Sequence, residues 1–250
     1  MAGVQEFIKI VKAEFPDDRL TYQKAIPTFH PESSQEAAAF IKLAAKHGQR
    51  VFITGFGNNV DPTGDRFREL VTIKTDRLNQ LHEVSSPGLC VKVGAGFPLL
   101  EVNHELAPHG LFVPHSGLPY VGSVGGAVAV NLSAELHTVR LPLGRFVLQV
   151  EVVTGAGEIL NAGSPRMKTV GGRDIAGIFA GSWGLLGLIV TVTLRAVPAS
   201  AADDYAALKM HEVSRRGFVA TGGSGAASSD QEYFRKIKSR FDPDGIFPTL

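Results

Sequence analysis

A run of small residues in the middle of the chain, residues 117–131, limits more than any other feature what this sequence can fold into. Its glycines Gly122, Gly125 and Gly126 have no Cβ, so the backbone can adopt positive φ angles and approach another group closely. The residues that follow, Ala-Val-Ala-Val, predict a short buried helix or strand behind this loop. A helix that begins at Gly125 or Gly126 would direct free N–H groups at an anion or an electron-rich ring edge. The alternative is a glycine-rich connection between two core elements.

Two more loops of the same character adjoin predicted strands. Residues 54–59 (TGFGNN) follow the apolar stretch 51–53, and residues 181–184 (GSWG) come shortly before the β-branched stretch 187–195. Asn58 and Asn59 tolerate left-handed backbone and add amide donors. Glycine loops without a catalytic nucleophile indicate a large flat or extended ligand, such as a dinucleotide. Backbone N–H groups of these loops would bind its pyrophosphate.

Composition excludes several classes of protein. With 250 residues, 44% of them apolar and 20% charged, the chain is long enough for one large domain or two small ones. A net charge of +1 leaves no overall field for binding nucleic acid. A single cysteine, Cys90, indicates a reducing compartment. No leader or membrane-spanning run is recognisable in the sequence, so we expect a cytoplasmic protein.

Hydrophobic periodicity predicts mixed helices and strands. Ser33 and Glu36 form a capping-box pattern at the start of one helix, which Gly48 ends. The other predicted elements are helices over 4–15, 98–106, 175–179 and 231–241, strands over 51–53, 71–74, 111–114 and 187–195, and hairpins over 81–93 and 146–160. From residue 199 the chain becomes small, polar and aperiodic, which is typical of a linker.

Other chemistries find little support in the sequence. No glycine loop is followed by the Lys-Ser or Lys-Thr of a phosphate-binding P-loop, and no Gly-x-Ser-x-Gly elbow occurs. Cys90 lies in a predicted strand without a neighbouring histidine. His104, His109 and His115 fall on helix, turn and strand with no acidic partner at ligand spacing, so we predict no metal site. The catalytic residues stay unknown.

Seven motifs in series resemble the FAD-binding domain of FAD-linked oxidases of the vanillyl-alcohol oxidase and p-cresol methylhydroxylase type, which include glycolate oxidase subunits and D-lactate dehydrogenases. The resemblance implies an α+β fold of two small α/β subdomains. The motifs are Pro27 with the capped helix after it, 55–59 (GFGNN), 93–96 (VGAG), 122–126 (GSVGG) with Asn131, 172–175 (GRDI), 181–189 (GSWGLLGLI) and 241–247 (FDPDGIF).

By this resemblance, residues 55–59 would bind the FAD pyrophosphate, residues 122–127 would lie along the ribityl chain and flavin, and Ile189 would meet FAD through its backbone. The pyrophosphate loop has no histidine for covalent attachment, so we expect non-covalent FAD. The complete set of expected FAD-binding residues is Thr54, Gly55, Phe56, Gly57, Asn58, Asn59, Pro119, Gly122, Ser123, Gly125, Gly126, Ala127, Asn131, Gly184 and Ile189.

The resemblance also shows departures. Arg173 replaces an aromatic residue, Glu135 stands where glycine is common, and the tail reads Ile-Phe-Pro instead of Ile-Phe-Asn-Pro. In the family, a substrate-binding cap domain supplies most catalytic side chains and precedes the tail helix. Here the expected organisation is an FAD-binding domain over 1–198, a short linker over 199–230 in place of the cap, and a C-terminal helix and tail over 231–250 that packs on the FAD domain.

Three functional hypotheses remain open at this point. The first is an FAD-binding oxidoreductase subunit that oxidises a 2-hydroxy acid or relays electrons, with a second oxidoreductase subunit or an iron–sulfur protein as partner. The second is a non-catalytic FAD-domain protein with a structural or assembly role. The third, a MurB-like reductase, shares this domain type, but its companion domain is missing.

Overall fold

The computed structural model describes residues 2–23, 25–58, 69–165, 175–213 and 229–248. The α-helices there are α1 (Ala2–Glu14), α2 (Ser34–Lys46), α3 (Val102–Leu106), α4 (Val124–Ala129), α5 (Ala176–Phe179) and α6 (Ser229–Phe241). The strands are β1 (Leu20–Gln23), β2 (Ile26–Phe29), β3 (Val51–Thr54), β4 (Val71–Lys74), β5 (Leu81–Ser85), β6 (Cys90–Gly94), β7 (Leu111–Phe112), β8 (Ser133–Leu136), β9 (Val139–Pro142), β10 (Val147–Val153), β11 (Ile159–Gly163), β12 (Leu188–Arg195), β13 (Val197–Pro198) and β14 (Lys209–Met210).

The N-terminal subdomain is a four-stranded sheet packed against helices α1 and α2. Its strand order is β1-β2-β4-β3, and β2, β4 and β3 run parallel. The rings of Phe29 and Phe40 stack with centroids 4.1 Å apart in its core. Helix α2 begins as the capping pattern predicts, because Ser33 Oγ accepts a hydrogen bond from the Glu36 N–H at 3.1 Å.

The second subdomain is built around a five-stranded antiparallel sheet of order β11-β10-β12-β6-β5. Its central strand, β12, is buried along its whole length except at Arg195, which explains the unbroken β-branched run of its sequence. Helix α4 packs against β12 and β6. The glycine-rich segment is therefore held directly on the middle of this sheet.

The C-terminal tail joins the two subdomains. Ile237 and Phe241 of α6 pack against the core of the second subdomain, whereas Ile246 and Phe247 are buried in the core of the first. The carbonyl of Ile246 accepts a hydrogen bond of 2.8 Å from the N–H of Val51, the first residue of β3. The tail thus fixes the strand from which the loop at 54–58 extends.

The structure differs from the sequence prediction in several elements. The start of the predicted linker is ordered, since residues 199–205 form a 3₁₀ helix and β14 pairs with β8. The ring of Tyr205 packs edge-on against that of Phe112, which holds this helix on the second subdomain. The β1–β2 and β8–β9 hairpins were not predicted. Residues 172–174 and 214–228, on which other predictions fall, lie outside the described residues. Within the described chain, no helix is long and apolar enough to cross a membrane.

Candidate cofactor-binding site

A cleft opens where the two subdomains meet. Its walls are the loop after β3, the first residue after β4, the turn after β6, the segment before α4 and the turn before β12. Strands β3 and β4 are parallel, so their carboxyl ends reach the same edge of the sheet. Ligands of open α/β sheets commonly bind outside such an edge.

The loop after β3 lines the cleft and carries backbone donors without acceptors among the described residues. Gly57 has a φ of 84°, which only glycine adopts without strain. The amide nitrogen of the Asn58 side chain donates to the carbonyl of Val121, which ties this loop to the segment before α4. Among the described residues, the N–H groups of Gly55, Phe56, Gly57 and Asn58 have no hydrogen-bond acceptor. Successive free N–H groups of this kind form an anion-binding concavity.

The glycines of the second loop are required by close internal contacts. A Cβ on Gly125 would lie 2.6 Å from the Cβ of Ala95, and one on Gly122 would lie 2.5 Å from the Tyr120 ring. A Cβ on Gly55 would come within 2.5 Å of Ser123 Oγ. Gly55 therefore lets the loop after β3 approach the segment before α4, whereas Gly122 and Gly125 allow close packing within the second subdomain.

Helix α4 does not offer the free N–H groups that the sequence predicted. It begins at Val124, with Ser123 as N-cap, and not at Gly125 or Gly126. The N–H of Val124 donates to Phe97 O at 2.8 Å, that of Gly125 to Ala95 O at 2.8 Å, and that of Gly126 to Ser123 Oγ at 3.1 Å. The first donors of the helix are thus already satisfied inside the protein.

The third loop closes the far side of the cleft. Trp183 and Gly184 both have positive φ angles, of 55° and 76°. The Trp183 N–H donates to the carbonyl of Ala129 at 2.9 Å, which holds the turn on helix α4. Gly184 packs against Ile53, since a Cβ there would lie 3.2 Å from the Ile53 Cβ. The turn therefore spans from α4 to β3.

The structure brings most of the predicted residues together. Those that line the cleft are Thr54, Gly55, Phe56, Gly57, Asn58, Gly122, Ser123, Gly125, Gly126, Gly184 and Ile189. Three others do not line it. Ala127 is fully buried in the core behind α4, Asn131 Oδ1 accepts a hydrogen bond from the Gly144 N–H at 2.9 Å, and Pro119 precedes the lining segment. Asn59 lies outside the described residues.

Sequence reasoning missed several residues of the wall. They are Ile53, Thr75, Ala95, Tyr120, Ala129, Val130, Trp183 and Gly187. Two of these had a usable signal, because Ala95 stands between two glycines and Trp183 stands inside the third loop. Thr75 follows a predicted strand directly, and only the parallel pairing of β3 with β4 shows that this position reaches the cleft.

Charge is scarce in this cleft. None of the described lining residues is Asp, Glu, His, Lys or Arg, so an anion there would be held by backbone dipoles. Within the described residues, no group of three His, Cys, Asp or Glu side chains is placed to hold a metal ion.

His115 is buried in the core of the second subdomain, where its Nε2 lies 2.9 Å from the carbonyl oxygen of Leu141 and burial lowers its pKa.

Comparison with known proteins agrees with this geometry. The family model described as FAD binding domain matches residues 27–163, which is more than half of the chain. The chain belongs to this FAD-binding domain family. The resemblance to FAD-linked oxidases is therefore confirmed, and FAD is the cofactor of the family.

Curated relatives of this chain are longer proteins. The chain is 27% identical to a D-lactate dehydrogenase of Archaeoglobus fulgidus over 79% of its own length and 47% of the relative's length. It is 25% identical to the glycolate oxidase subunit GlcD of Bacillus subtilis over 67% of the chain and 36% of the relative. The chain thus spans less than half the length of these relatives.

A solved structure shares the fold of this FAD-binding domain. Alkyldihydroxyacetonephosphate synthase superposes with a TM-score of 0.65 at 20% identity, over 78% of the chain and 40% of that protein. The expected α+β fold of an FAD-binding domain of the p-cresol methylhydroxylase type is confirmed.

The residues of the cleft fit FAD on two physical grounds. The free N–H groups after β3 match a pyrophosphate, which is an anion with several acceptor oxygens. The rest of the wall is small or apolar, including Ile53, Ala95, Val130 and Ile189, which suits a flat aromatic ring system.

Proposed function

We propose that this chain is the FAD-binding part of an oxidoreductase that oxidises a 2-hydroxy acid or relays its electrons to a partner. The observation behind the proposal is a cleft lined both by residues 55–58, whose N–H groups have no acceptor in the described part of the chain, and by small and apolar residues of the second subdomain. Relatives are named D-lactate dehydrogenase and glycolate oxidase subunit. Bound FAD would supply the redox chemistry by accepting a hydride from the substrate.

The residues of this chain would position FAD. The N–H groups of Gly55, Phe56 and Gly57 would donate to the pyrophosphate, and the Asn58 bridge to Val121 would keep the loop at a fixed distance from the second subdomain. Gly122, Gly126 and Gly184 would lie along the ribityl chain and the flavin. No His or Cys is among the described lining residues, which supports non-covalent binding.

Substrate-binding groups would come from outside the described cleft. A 2-hydroxy acid needs a cation for its carboxylate and a base for its hydroxyl proton. The described wall has no Lys, Arg, His, Asp or Glu for either task. We therefore propose that residues 199–230 replace the cap domain and that a second oxidoreductase subunit or an iron–sulfur protein covers the flavin. We also propose that the protein is cytoplasmic.

The visible spectrum under anaerobic conditions tests this function. The purified chain should be yellow, and D-lactate or glycolate should bleach the flavin absorbance, with the chain alone or with the protein that copurifies with it. Photoreduction is the control for a reducible flavin. A flavin that photoreduction bleaches but neither hydroxy acid reduces, with or without that protein, would contradict the proposal and favour a structural FAD.

A further inference from the structure

A buried lysine of the C-terminal helix lies behind the third loop of the cleft. Only 7% of Lys238 is exposed, and its Nζ lies 2.8 Å from the carbonyl oxygen of Leu185. Leu185 directly follows residues 183–184, which line the cleft. Nζ also lies 2.8 Å from Asp242 Oδ2 and 3.4 Å from the carbonyl oxygen of Phe247. The ammonium therefore joins the third loop to the C-terminal tail.

The tail is in turn fixed to the strand that leads into the loop after β3. Asp242 Oδ1 accepts a hydrogen bond of 2.9 Å from the N–H of Ile246, and Oδ2 accepts one of 3.1 Å from the N–H of Phe247. The carbonyl of Ile246 accepts a hydrogen bond of 2.8 Å from the N–H of Val51, with which β3 begins. A continuous series of contacts thus runs from the third loop through the ion pair to β3.

The third loop also contacts β3 and helix α4 directly. Gly184 packs against Ile53 of β3, because a Cβ on Gly184 would lie 3.2 Å from the Ile53 Cβ. The Trp183 N–H donates to the carbonyl of Ala129 in α4 at 2.9 Å. Gly184, Ile53 and Ala129 all line the cleft. The place of the third loop therefore affects the distance between two walls of the cleft, and Lys238 holds the residue that follows this loop.

The ion pair contributes a defined geometry more than it contributes stability. Two buried charges lose their hydration, and apolar residues of similar volume often stabilise a protein as well or better. An ammonium has three N–H donors, and the three acceptors around Lys238 fix its place. Burial lowers the pKa of Lys238, although the hydrogen bond and charge of Asp242 act in the opposite direction. The place of the ammonium beside a loop of the cleft indicates a role in shaping that cleft.

We propose that Lys238 is a positioning residue for FAD, whose ammonium holds the Leu185 carbonyl and so keeps the third loop at the distance from β3 that the cofactor requires. The inference rests on the proposed function, because it needs FAD in this cleft. Lys238 is not one of the described lining residues, so it would act only through the backbone of the third loop. Removing its N–H donors should therefore weaken FAD binding even where the protein remains stably folded.

Two variants that differ only at position 238 separate positioning from stability. Asp242→Asn removes the carboxylate but keeps the lysine N–H donors next to the Leu185 carbonyl. Its lysine then lies buried without a counter-charge, so the melting temperature of the flavin-free protein should fall. Adding Lys238→Met removes this unpaired charge and should raise the melting temperature again. The double variant lacks the donor to Leu185, so we expect it to bind FAD at least about 10-fold more weakly than Asp242→Asn.

Equilibrium titration with FAD, well below the melting temperature of each variant, measures the affinities. The proposal predicts that affinity and stability change in opposite directions between the two variants. The visible circular dichroism of bound FAD should differ as well, since it reports how the protein holds the flavin. Equal affinities, affinities that rise with melting temperature, or a double variant that does not fold would overturn the proposal while the proposed function stands.

Ile41→Ala is the control for a general loss of stability. Ile41 is fully buried in the core of the first subdomain and does not line the cleft. This variant should melt at a lower temperature and bind FAD like the wild type. If Asp242→Asn does not fold, the double variant is compared with Ile41→Ala, and equal FAD affinity of these two would overturn the proposal. A wild-type chain that binds no FAD would overturn both the proposal and the proposed function.

Discussion

At the scale of single residues, the backbone conformation of Gly57 determines whether the loop after β3 can bind a pyrophosphate. Gly57 has a φ of 84°, and among the described residues only Thr54 Oγ1 lies near the position of a Cβ, at 3.7 Å. Within the described chain, a Cβ at this position would therefore meet only an ordinary van der Waals contact. A side chain there would occupy the space that we assign to the pyrophosphate.

We expect Gly57→Val to abolish FAD binding, because its side chain fills the anion site and forces the loop out of its left-handed conformation. The folded state should lose about 1–2 kcal/mol from backbone strain. Gly110→Val is the matched control, since Gly110 has a φ of 64°, open surroundings and a place outside the cleft lining. Both variants should lose similar stability, measured by denaturant unfolding, but Gly110→Val should bind FAD normally. Full FAD binding by Gly57→Val would refute the loop assignment.

The stability of the protein should fall as the pH drops below about 6.5, in part because of His115. Burial lowers its pKa below the ordinary value of 6.5, and its Nδ1 has no hydrogen-bond partner in the described part of the chain, so the folded state keeps the ring neutral. The unfolded chain binds the proton first, so the stabilisation is present above pH 6.5 and is lost as the pH falls toward the folded pKa. Thermal melts of His115→Gln from pH 7.5 to 5.5 should show a smaller slope. An unchanged slope would exclude this role.

At the scale of secondary-structure elements, the sequence predicts those strands and helices that have regular patterns and ordinary turn residues. The capped helix α2, the strand β4 and the hairpin of β5 and β6 lie where the sequence places them, within a residue or two. The two missed hairpins both turn on a residue other than glycine. Ala25 has a φ of 66° between β1 and β2, and His137 has a φ of 55° between β8 and β9. Propensity gives no sign of such turns.

The packing of one turn on another explains why position 96 must be glycine, which the sequence analysis had only assigned to a motif. Gly96→Ala should destabilise the protein by about 1–3 kcal/mol or more, because its Cβ would lie 1.9 Å from the Thr75 carbonyl and backbone cannot give way easily. Gly117→Ala is the control, since Gly117 has nothing within 4 Å and no positive φ. Chemical denaturation of both variants measures this difference. Equal stability of the two would contradict the close packing of the turns.

At the scale of the whole molecule, the tail connects both subdomains through one buried ion pair. Lys238 Nζ lies 2.8 Å from Asp242 Oδ2 and donates to the carbonyl of Leu185, next to the third loop of the cleft. Asp242 also accepts hydrogen bonds from the N–H groups of Ile246 and Phe247. The sequence predicted that the tail packs on the FAD domain. It could not predict this pair, because α6 reads as a helix with a solvated basic face.

We expect Asp242→Ala to cost about 3–5 kcal/mol, because it leaves Lys238 buried without its counter-charge. Lys236 and Glu232 form a pair with the same four-residue spacing on the same helix, 2.8 Å apart and well exposed. Lys236→Ala should therefore change stability by less than about 1 kcal/mol. Urea unfolding measures both variants. A cost for Asp242→Ala as small as that for Lys236→Ala would show that the tail does not hold the subdomains together.

Hydrogen exchange of single amides, followed by NMR with and without FAD, tests the central claim most directly. The account expects FAD to slow exchange at Gly55, Phe56, Gly57 and Asn58, whose N–H groups have no acceptor among the described residues of the protein itself. The amides at 124–126 already donate within the protein and should change little. Unchanged exchange at 55–58 in a protein saturated with FAD would contradict the claim that these backbone donors bind the cofactor.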